Sequence, residues 1–229
     1  NYNKRQLKKA MEAIACAKKP LLYVGGGAVL SNCAFEIREL ARKLNIPAVE
    51  TLMARGVMGD ENPLFFGMLG MHGEFSANMA AHETDLLISL GARFDDRVTG
   101  RLDEFASKAK IIHVDIDPTS IAKLVVPDYP IVGDLKVTVK AMIEAIESGE
   151  NEFNDYTNWV ELLRDYREKE PLRYIDSNEI IKPQWPIERV GKLLGARAVV
   201  STDVGQHQMW TAQFYPFSYP RQWITSGGL

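Results

Sequence analysis

The sequence predicts an α/β protein in which helices flank a parallel sheet, followed by the beginning of a second α/β domain. Short apolar runs alternate along the chain with stretches whose apolar residues recur at helical spacing. That alternation is typical of a parallel sheet covered by helices. Each apolar run also ends in glycine, aspartate or a polar turn, where such sheets place their ligands.

The predicted elements follow one another in a regular order. Buried strands are predicted at residues 21–24, 46–49, 86–90, 111–114, 130–132 and 198–200, and an apolar strand that begins at Trp223 runs into a glycine turn. Helices are predicted at residues 4–18, 33–44, 135–146, 156–170 and 186–194, with a further helix ending near His82. In the helix at 33–44, Phe35, Ile37, Leu40 and Leu44 are expected on the apolar side.

A polar segment at residues 148–154, SGENEFN, is the best candidate for a domain boundary. We therefore predict a nucleotide-binding α/β domain at residues 1–150, a linker with a helix at 151–182, and the start of a second α/β domain at 183–229. The chain opens in a polar helical segment without an initiator methionine and closes in a glycine turn. We expect it to be a fragment of a longer polypeptide.

Composition narrows the class of protein. The 229 residues are 46% hydrophobic and 25% charged, as in ordinary soluble globular proteins. The net charge of −3 gives no reason to expect nucleic acid or an anionic membrane as a partner. No apolar run approaches the ~20 residues that span a bilayer. We interpret Cys16 and Cys33 as buried structural thiols in a reducing compartment such as a bacterial cytoplasm.

The run Gly25-Gly26-Gly27 follows a predicted strand and precedes a helical pattern. Glycine lets the backbone approach a phosphate or a ring closely, and a helix N-terminus favours an anion. The run lacks the G-x-G-x-x-G spacing of a dinucleotide-binding dehydrogenase. By itself it is equally consistent with a plain tight turn.

A second glycine-rich stretch, GMLGMHG at residues 67–73, carries Met71 and His72 among its glycines. Both side chains could pack on a flat aromatic ligand, although a single histidine in such a loop is more often structural. No second histidine, cysteine or carboxylate stands at metal-ligand spacing, so no metal site is predicted here.

The loop GARFDDRVTG at residues 91–100 is the most highly charged strand end. Arg93 and Arg97 could hold a diphosphate, and Asp95 could accept a hydrogen bond from a ribityl or ribose hydroxyl. The alternative is Arg–Asp pairing at the surface. Asp115 ends a further strand, where a carboxylate commonly binds a ribose, although Asp117-Pro118 behind it is also ordinary turn chemistry. Taken together, the strand ends predict a dinucleotide across the carboxyl edge of the sheet.

The series GGG, GMLGMHG, GARFDDRVTG, HVDIDP (residues 113–118) and DVGQHQMW (residues 203–210) closely resembles the catalytic subunit of acetohydroxyacid synthase, also called acetolactate synthase. The resemblance covers essentially the whole chain in the same motif order. It implies the central, FAD-binding domain of a thiamine-diphosphate enzyme and the opening of its thiamine-diphosphate-binding domain.

The resemblance implies FAD contacts at Gly25, Gly26, Gly27, Thr51, Leu52, Met53, Leu69, Gly70, Met71, His72, Gly91, Ala92, Arg93, Asp95, Arg97, Val98, Asp115, Ile116, Ser120, Asp134, Leu135, Gln208, Met209, Gly227 and Gly228. It implies thiamine-diphosphate contacts at Val204, Gly205, Gln206 and His207. It assigns no catalytic residue and no ligand of the family's Mg²⁺ to this chain.

The implied activity is the decarboxylative condensation of pyruvate with a second 2-oxo acid, pyruvate or 2-oxobutyrate, in branched-chain amino acid biosynthesis. FAD does no net redox work in that cycle. The resemblance further implies a homodimer or tetramer of catalytic subunits, with room for a small regulatory subunit. Two alternatives stay open: another thiamine-diphosphate enzyme of the pyruvate oxidase or glyoxylate carboligase type, and a dinucleotide-binding module without chemistry of its own.

Overall fold

The computed structural model describes residues 2–227, which form two parallel sheets with their helices. Along the chain the elements are α1 (Lys4–Cys16), β1 (Pro20–Val24), α2 (Gly26–Leu30), α3 (Ala34–Leu44), β2 (Ala48–Glu50), β3 (Phe65–Met68), α4 (Phe75–Glu83), β4 (Leu86–Leu90), α5 (Asp96–Thr99), β5 (Lys110–Asp115), β6 (Tyr129–Val132), α6 (Leu135–Glu147), α7 (Thr157–Lys169), α8 (Gln184–Leu194), β7 (Val200–Ser201), α9 (Gln206–Phe214) and β8 (Trp223–Ile224). Short 3₁₀ helices lie at Leu52–Ala54 and Gly195–Arg197.

The larger sheet has six strands in the order β3-β2-β1-β4-β5-β6, and every neighbouring pair is parallel. The predicted fold class is therefore confirmed. Because all the strands run in one direction, their carboxyl ends meet at one edge. The order reverses between β1 and β4, and such a reversal opens the crevice in which doubly wound sheets bind ligands.

The central strands are buried along their whole length. All five residues of β1 and of β4 are inaccessible, as expected for strands covered by helices on both faces. Helix α1 begins where the Asn3 side chain accepts from the backbone amides of Arg5 and Gln6, and it buries Leu7, Met11 and Ile14. Asp134 caps α6 in the same way by accepting from the Val137 amide at 2.9 Å.

Helix α7 packs on the six-stranded sheet domain. Trp159, Val160 and Leu163 are buried in its hydrophobic core. The Trp159 indole donates to the Pro20 carbonyl at 2.9 Å, and the Tyr156 hydroxyl donates to the Ile14 carbonyl at 2.7 Å. The polar 148–154 segment is thus followed by a helix that returns to the first domain.

Three local predictions are wrong. Phe35 is 74% exposed, and Cys16, at the end of α1, is also exposed, whereas Cys33 is buried. Each exposed residue stands two positions from a buried isoleucine, Ile37 or Ile14, which is more than half a helical turn away. The glycine-rich stretch at 67–73, predicted as a loop, begins inside strand β3.

The second sheet consists of β7 and β8, which pair in parallel with Val200 opposite Trp223. Helices α8 and α9 pack against each other. No helix within residues 2–227 is long and apolar enough to cross a membrane.

Candidate functional site

The triple glycine directly follows β1. It lies at the carboxyl end of the β1–β4 pair, where the strand order reverses. The Gly25 amide donates to the Leu90 carbonyl at 3.0 Å, and the Gly27 amide donates to the Gly91 carbonyl at 2.9 Å. A Cβ atom on Gly25 would lie 2.3 Å from the Ala92 Cα, inside its van der Waals radius. Glycine is therefore required for the two loops to touch, whether or not a ligand approaches the same backbone.

The arginines of the charged loop point into solvent and lack close ion pairs. Arg93 lies 3.8 Å from Asp95, Arg97 lies 3.8 Å from Asp96, and both arginine side chains are 72% exposed. Asp95 caps the short helix α5 by accepting from the Arg97 amide at 3.1 Å, which holds the pKa of this carboxyl below its usual range. The guanidinium groups thus stay available to an anionic ligand, whereas the Asp95 carboxylate already accepts a backbone hydrogen bond.

The GMLGMHG stretch adjoins the charged loop at the same edge. The Met71 amide donates to the Arg97 carbonyl at 2.9 Å, and the Asn78 side chain bonds both the amide and the carbonyl of Gly70. Met71 is 64% exposed, Leu69 is buried, and the His72 carbonyl accepts from Gln213 of α9 at 2.9 Å. The structure therefore brings the two predicted motifs together.

The segment after β2 also lies at the carboxyl edge of the six-stranded sheet. The Thr51 amide donates to the Val24 carbonyl at 2.9 Å, while the Thr51 hydroxyl is buried without a partner among the described residues. Met53 lies between two glycines: a Cβ on Gly26 would be 3.1 Å from its Cβ, and one on Gly227 would be 2.8 Å from its sulfur. Met53 thus links the triple glycine to the end of the chain.

The predicted residues after β5 and β6 form a separate part of the edge. Asp115 accepts from the Asp117 amide at 2.9 Å, and Ile116 beside it is 70% exposed. Asp117 accepts from Thr119 and Ser120, so Ser120 belongs to this turn. Asp134 is occupied as the cap of α6, and Leu135 is buried 3.1 Å from the position of a Cβ on Gly91.

The residues predicted to cradle a diphosphate lie at the start of α9. Val204, Gly205, Gln206 and His207 are all exposed. The buried side chain of Gln208 donates to the Thr225 hydroxyl at 2.7 Å and to the Ser226 carbonyl at 2.8 Å. It therefore ties the start of α9 to the segment that reaches Met53. Half-buried Met209 follows it, and Gly228 lies outside the described residues.

An ionic cluster formed by buried Glu50 and Arg55 and half-buried Asp60 was not predicted from the sequence. The Arg55 guanidinium lies 3.2 Å from Glu50 and 2.8 Å from Asp60, and its Nε donates to the Ala212 carbonyl of α9 at 3.0 Å. Burial raises the pKa of Glu50 to about 7, although Arg55 and the Met58 and Gly56 amides oppose the rise. The only sequence signal was a glutamate ending a buried strand, with an arginine five positions later.

The carboxyl edge fits a dinucleotide with a diphosphate group. Two exposed guanidinium groups with ion pairs no closer than 3.8 Å lie there, together with the Thr51 hydroxyl, which is buried without a partner among the described residues, and with backbone of closely packed glycines. Free donors of this kind complement phosphate and carbonyl oxygens. The fold and this edge define a cofactor-binding α/β domain of the doubly wound class.

Comparison with known proteins gives the family. The profile described as "Thiamine pyrophosphate enzyme, central domain" matches residues 7–142, and "Thiamine pyrophosphate enzyme, C-terminal TPP binding domain" matches residues 203–229. The chain belongs to the thiamine pyrophosphate enzyme family.

Individual relatives carry acetolactate synthase names. The chain is 43% identical to the acetolactate synthase large subunit of Haemophilus influenzae, over 100% of this chain and 40% of the relative. It is 42% identical to the acetolactate synthase isozyme 3 large subunit of Escherichia coli, over 99% of this chain and 40% of that protein. The acetolactate synthase of Mycobacterium leprae is 46% identical, over 98% and 36%. The resemblance read from the motifs is confirmed, and the chain spans about 40% of the length of these first two relatives.

Proposed function

We propose that this chain is the cofactor-binding central part of an acetolactate synthase large subunit, together with the opening of its thiamine-diphosphate domain. The observation that carries the proposal is the meeting of the triple glycine, the GMLGMHG stretch and the charged loop at one edge of the six-stranded sheet. Identities of 42–46% to named acetolactate synthases across essentially the whole chain support it.

In this proposal the edge of the sheet holds FAD. Arg93 and Arg97 pair with the diphosphate, Asp115 accepts from a ribose hydroxyl, and Met53 and Met71 pack against the flavin ring. The flavin is structural: it orders the loops of the edge and takes no net part in oxidation.

The start of α9 contributes to the thiamine-diphosphate site. Gly205 has no side chain to obstruct a phosphate, and the amides of the first turn of α9 point away from the helix body toward an anion. When bound, thiamine diphosphate supplies the thiazolium ring on which pyruvate loses carbon dioxide and is joined to a second 2-oxo acid. Mg²⁺ and the catalytic groups are assigned to no residue of this chain.

The complete subunit is proposed to act on pyruvate and 2-oxobutyrate as a homodimer or tetramer, with a small regulatory subunit as a further partner. We expect acetolactate, detected as acetoin after acid treatment, from the full-length polypeptide supplied with FAD, thiamine diphosphate and Mg²⁺. The 229-residue chain alone is expected to form none. Acetyl phosphate or hydrogen peroxide in place of acetolactate would support an oxidase and contradict this proposal.

Flavin binding tests the site directly. In the full-length polypeptide, Arg93→Ala is expected to weaken FAD binding at least about tenfold, or about 1.4 kcal/mol, because a charge-assisted hydrogen bond to the diphosphate is lost. Titration followed by flavin fluorescence gives the dissociation constant. Arg101→Ala is the matched control, since Arg101 is equally exposed and pairs with Asp103 and Glu104 at the surface. Equal affinities of the two variants would remove Arg93 from the site.

A further inference from the structure

Three buried polar side chains form a row across the centre of the six-stranded sheet. Tyr23 of β1 is the register partner of Ser89 of β4, and Ser89 is the register partner of His113 of β5. Register partners in neighbouring strands point to the same face. All three residues are at most 1% exposed, in strands whose other residues are mostly apolar. We name Tyr23, Ser89 and His113 the polar row.

Every member of the polar row bonds to the charged loop. The Tyr23 hydroxyl donates to the Arg93 carbonyl at 3.2 Å, and the Ser89 hydroxyl reaches the Ala92 carbonyl at 3.4 Å. His113 Nε2 lies 3.1 Å from the same Ala92 carbonyl. Since a carbonyl only accepts, Nε2 carries the hydrogen. Burial lowers the pKa of His113, which keeps the ring neutral.

In this part of the charged loop the backbone carbonyls have protein partners, whereas several backbone amides do not have one in the described part of the chain. The carbonyls of Gly91, Ala92 and Arg93 all accept hydrogen bonds from the protein. The amides of Ala92, Arg93 and Phe94 have no protein partner within residues 2–227. With the carbonyls of residues 91–93 engaged and the amides of residues 92–94 free of protein partners within the described residues, this part of the loop can donate to a ligand at the sheet edge.

The aromatic ring of Phe94, in the same loop, packs against two members of the polar row. Its centroid lies 5.1 Å from that of His113 in an edge-to-face contact and 5.8 Å from that of Tyr23. Phe105 makes a third contact at 6.0 Å. The Ala92 and Arg93 carbonyls and the buried Phe94 side chain therefore all contact the polar row.

We propose that Tyr23, Ser89 and His113 are positioning residues that pre-organise the 91–94 loop for its cofactor. They contact the loop through the Ala92 and Arg93 carbonyls and through the ring of Phe94. The proposal rests on the proposed function, in which this loop binds FAD. It assigns a role in cofactor affinity to three buried strand residues for which no cofactor contact was predicted from the sequence.

The test uses the full-length polypeptide with variants that remove one donor each. Tyr23→Phe deletes only a hydroxyl, and His113→Leu deletes the imidazole donor. His113→Gln is the conservative variant, because its side-chain amide nitrogen can occupy the position of Nε2. The control is Thr84→Val, which removes a buried hydroxyl bonded to the Lys19 and Leu86 carbonyls at the start of β4, away from the carboxyl edge.

Two readouts separate positioning from general stability. The first is the FAD dissociation constant, measured well below the unfolding temperature. We expect increases of at least about fivefold for Tyr23→Phe and tenfold for His113→Leu, and changes of less than about twofold for His113→Gln and Thr84→Val. The second is the rate of tryptic cleavage after Arg93 without FAD, which should rise in Tyr23→Phe and His113→Leu only.

The outcomes distinguish this inference from the proposed function. Failure of the unmodified polypeptide to bind FAD would refute the proposed function, while the trypsin readout would still decide whether the polar row holds the loop. Unchanged cleavage and unchanged affinity in both donor-removing variants would overturn the inference. So would an equal loss of affinity in Thr84→Val, since the effect would then follow stability alone.

Discussion

Arg55 and Arg93 both lie near the sheet edge, but burial gives their charges different roles. Arg55 is buried, with Glu50 and Asp60 as close partners and with the rings of Phe65 and Phe217 at 5.1 and 5.3 Å. Arg93 is exposed, and its guanidinium lies 3.8 Å from the Asp95 carboxylate. A buried pair is costly to break, whereas an exposed one contributes little. Arg55 therefore serves the structure, and Arg93 is free to bind a ligand.

Glu50→Gln is expected to destabilise the protein by about 1–3 kcal/mol. Both carboxylate oxygens accept, from the amides of Met58 and Gly56 and from Arg55, so the new amide group would face at least one donor with another donor. Urea unfolding gives the change in free energy. Glu61→Gln, at an exposed position nearby, is the control and should change the free energy little. A Glu50→Gln protein as stable as the control would contradict this role for Glu50.

His113 is expected to make stability depend on pH in acid. Burial lowers its pKa, and Asp115 at 3.9 Å opposes the shift only in part. The unfolded chain takes up this proton near pH ~6.5 and the folded protein only at lower pH. The contribution is thus complete above about pH 6.5 and is lost as pH falls toward the native pKa. Urea unfolding at pH 7.5 and 5.5 should show a larger loss in the natural protein than in His113→Gln; equal losses would contradict it.

At the scale of elements, the loops after β1 and β4 depend on direct backbone contact. Gly27 and Gly91 approach so closely that a Cβ on either would lie 2.8 Å from the Cα of the other. The left-handed conformation of Gly91, with φ of 64°, adds a second reason for glycine there. The crevice at the reversal of strand order is therefore narrow at its base and lined by backbone.

Gly25→Ala is expected to cost at least about 3 kcal/mol, because its Cβ would meet backbone atoms at 2.3 Å that cannot move aside. Gly26→Ala is the matched comparison. Its Cβ would meet the Met53 Cβ at 3.1 Å, and the helix propensity of alanine offsets about 0.5–1 kcal/mol. Thermal unfolding of the two variants measures the difference. Similar melting temperatures would show that the loops can separate without loss.

At the scale of the whole molecule, the cluster around Arg55 joins the two sheets. Asp60 bonds Phe217 twice: its amide donates to the Phe217 carbonyl at 2.8 Å, and its carboxylate accepts from the Phe217 amide at 3.0 Å. Arg55 adds a bond to Ala212 at the far end of α9. Because α9 begins at the predicted diphosphate residues, these contacts set the position of those residues relative to the sheet edge that we propose to hold FAD.

Asp60→Ala is expected to loosen the carboxyl-terminal segment while leaving the six-stranded sheet intact. Hydrogen exchange should become faster around residues 212–218, where the Phe217 amide loses its acceptor, and should stay slow in β1 and β4. Asp103→Ala, which removes a surface partner of Arg101, is the control. Unchanged exchange at residues 212–218 in Asp60→Ala would show that other contacts hold the segment.

Much of the site could be predicted because its signals are local. A glycine or charged turn directly after an apolar run marks a strand end, and parallel strands bring such ends to one edge. Arg93 and Gly25 were found in this way. Strand β3 was missed because Gly67 looks like a loop residue; it adopts φ of 101° within the strand, where the Glu74 carboxylate fills the space of a side chain. Glu50 and Arg55 were missed because a buried pair has no periodic pattern.

The sequence by itself determined the fold class, the strand ends and the family, since each follows from residues adjacent in the chain. Only the tertiary structure decided the strand order, the contact between Gly25 and Ala92, and the polar row of Tyr23, Ser89 and His113. Tyr23 and the loop carbonyl it bonds are 70 positions apart in the chain. Register between such distant segments is set by the packing of helices on both faces of the sheet, which no local pattern records.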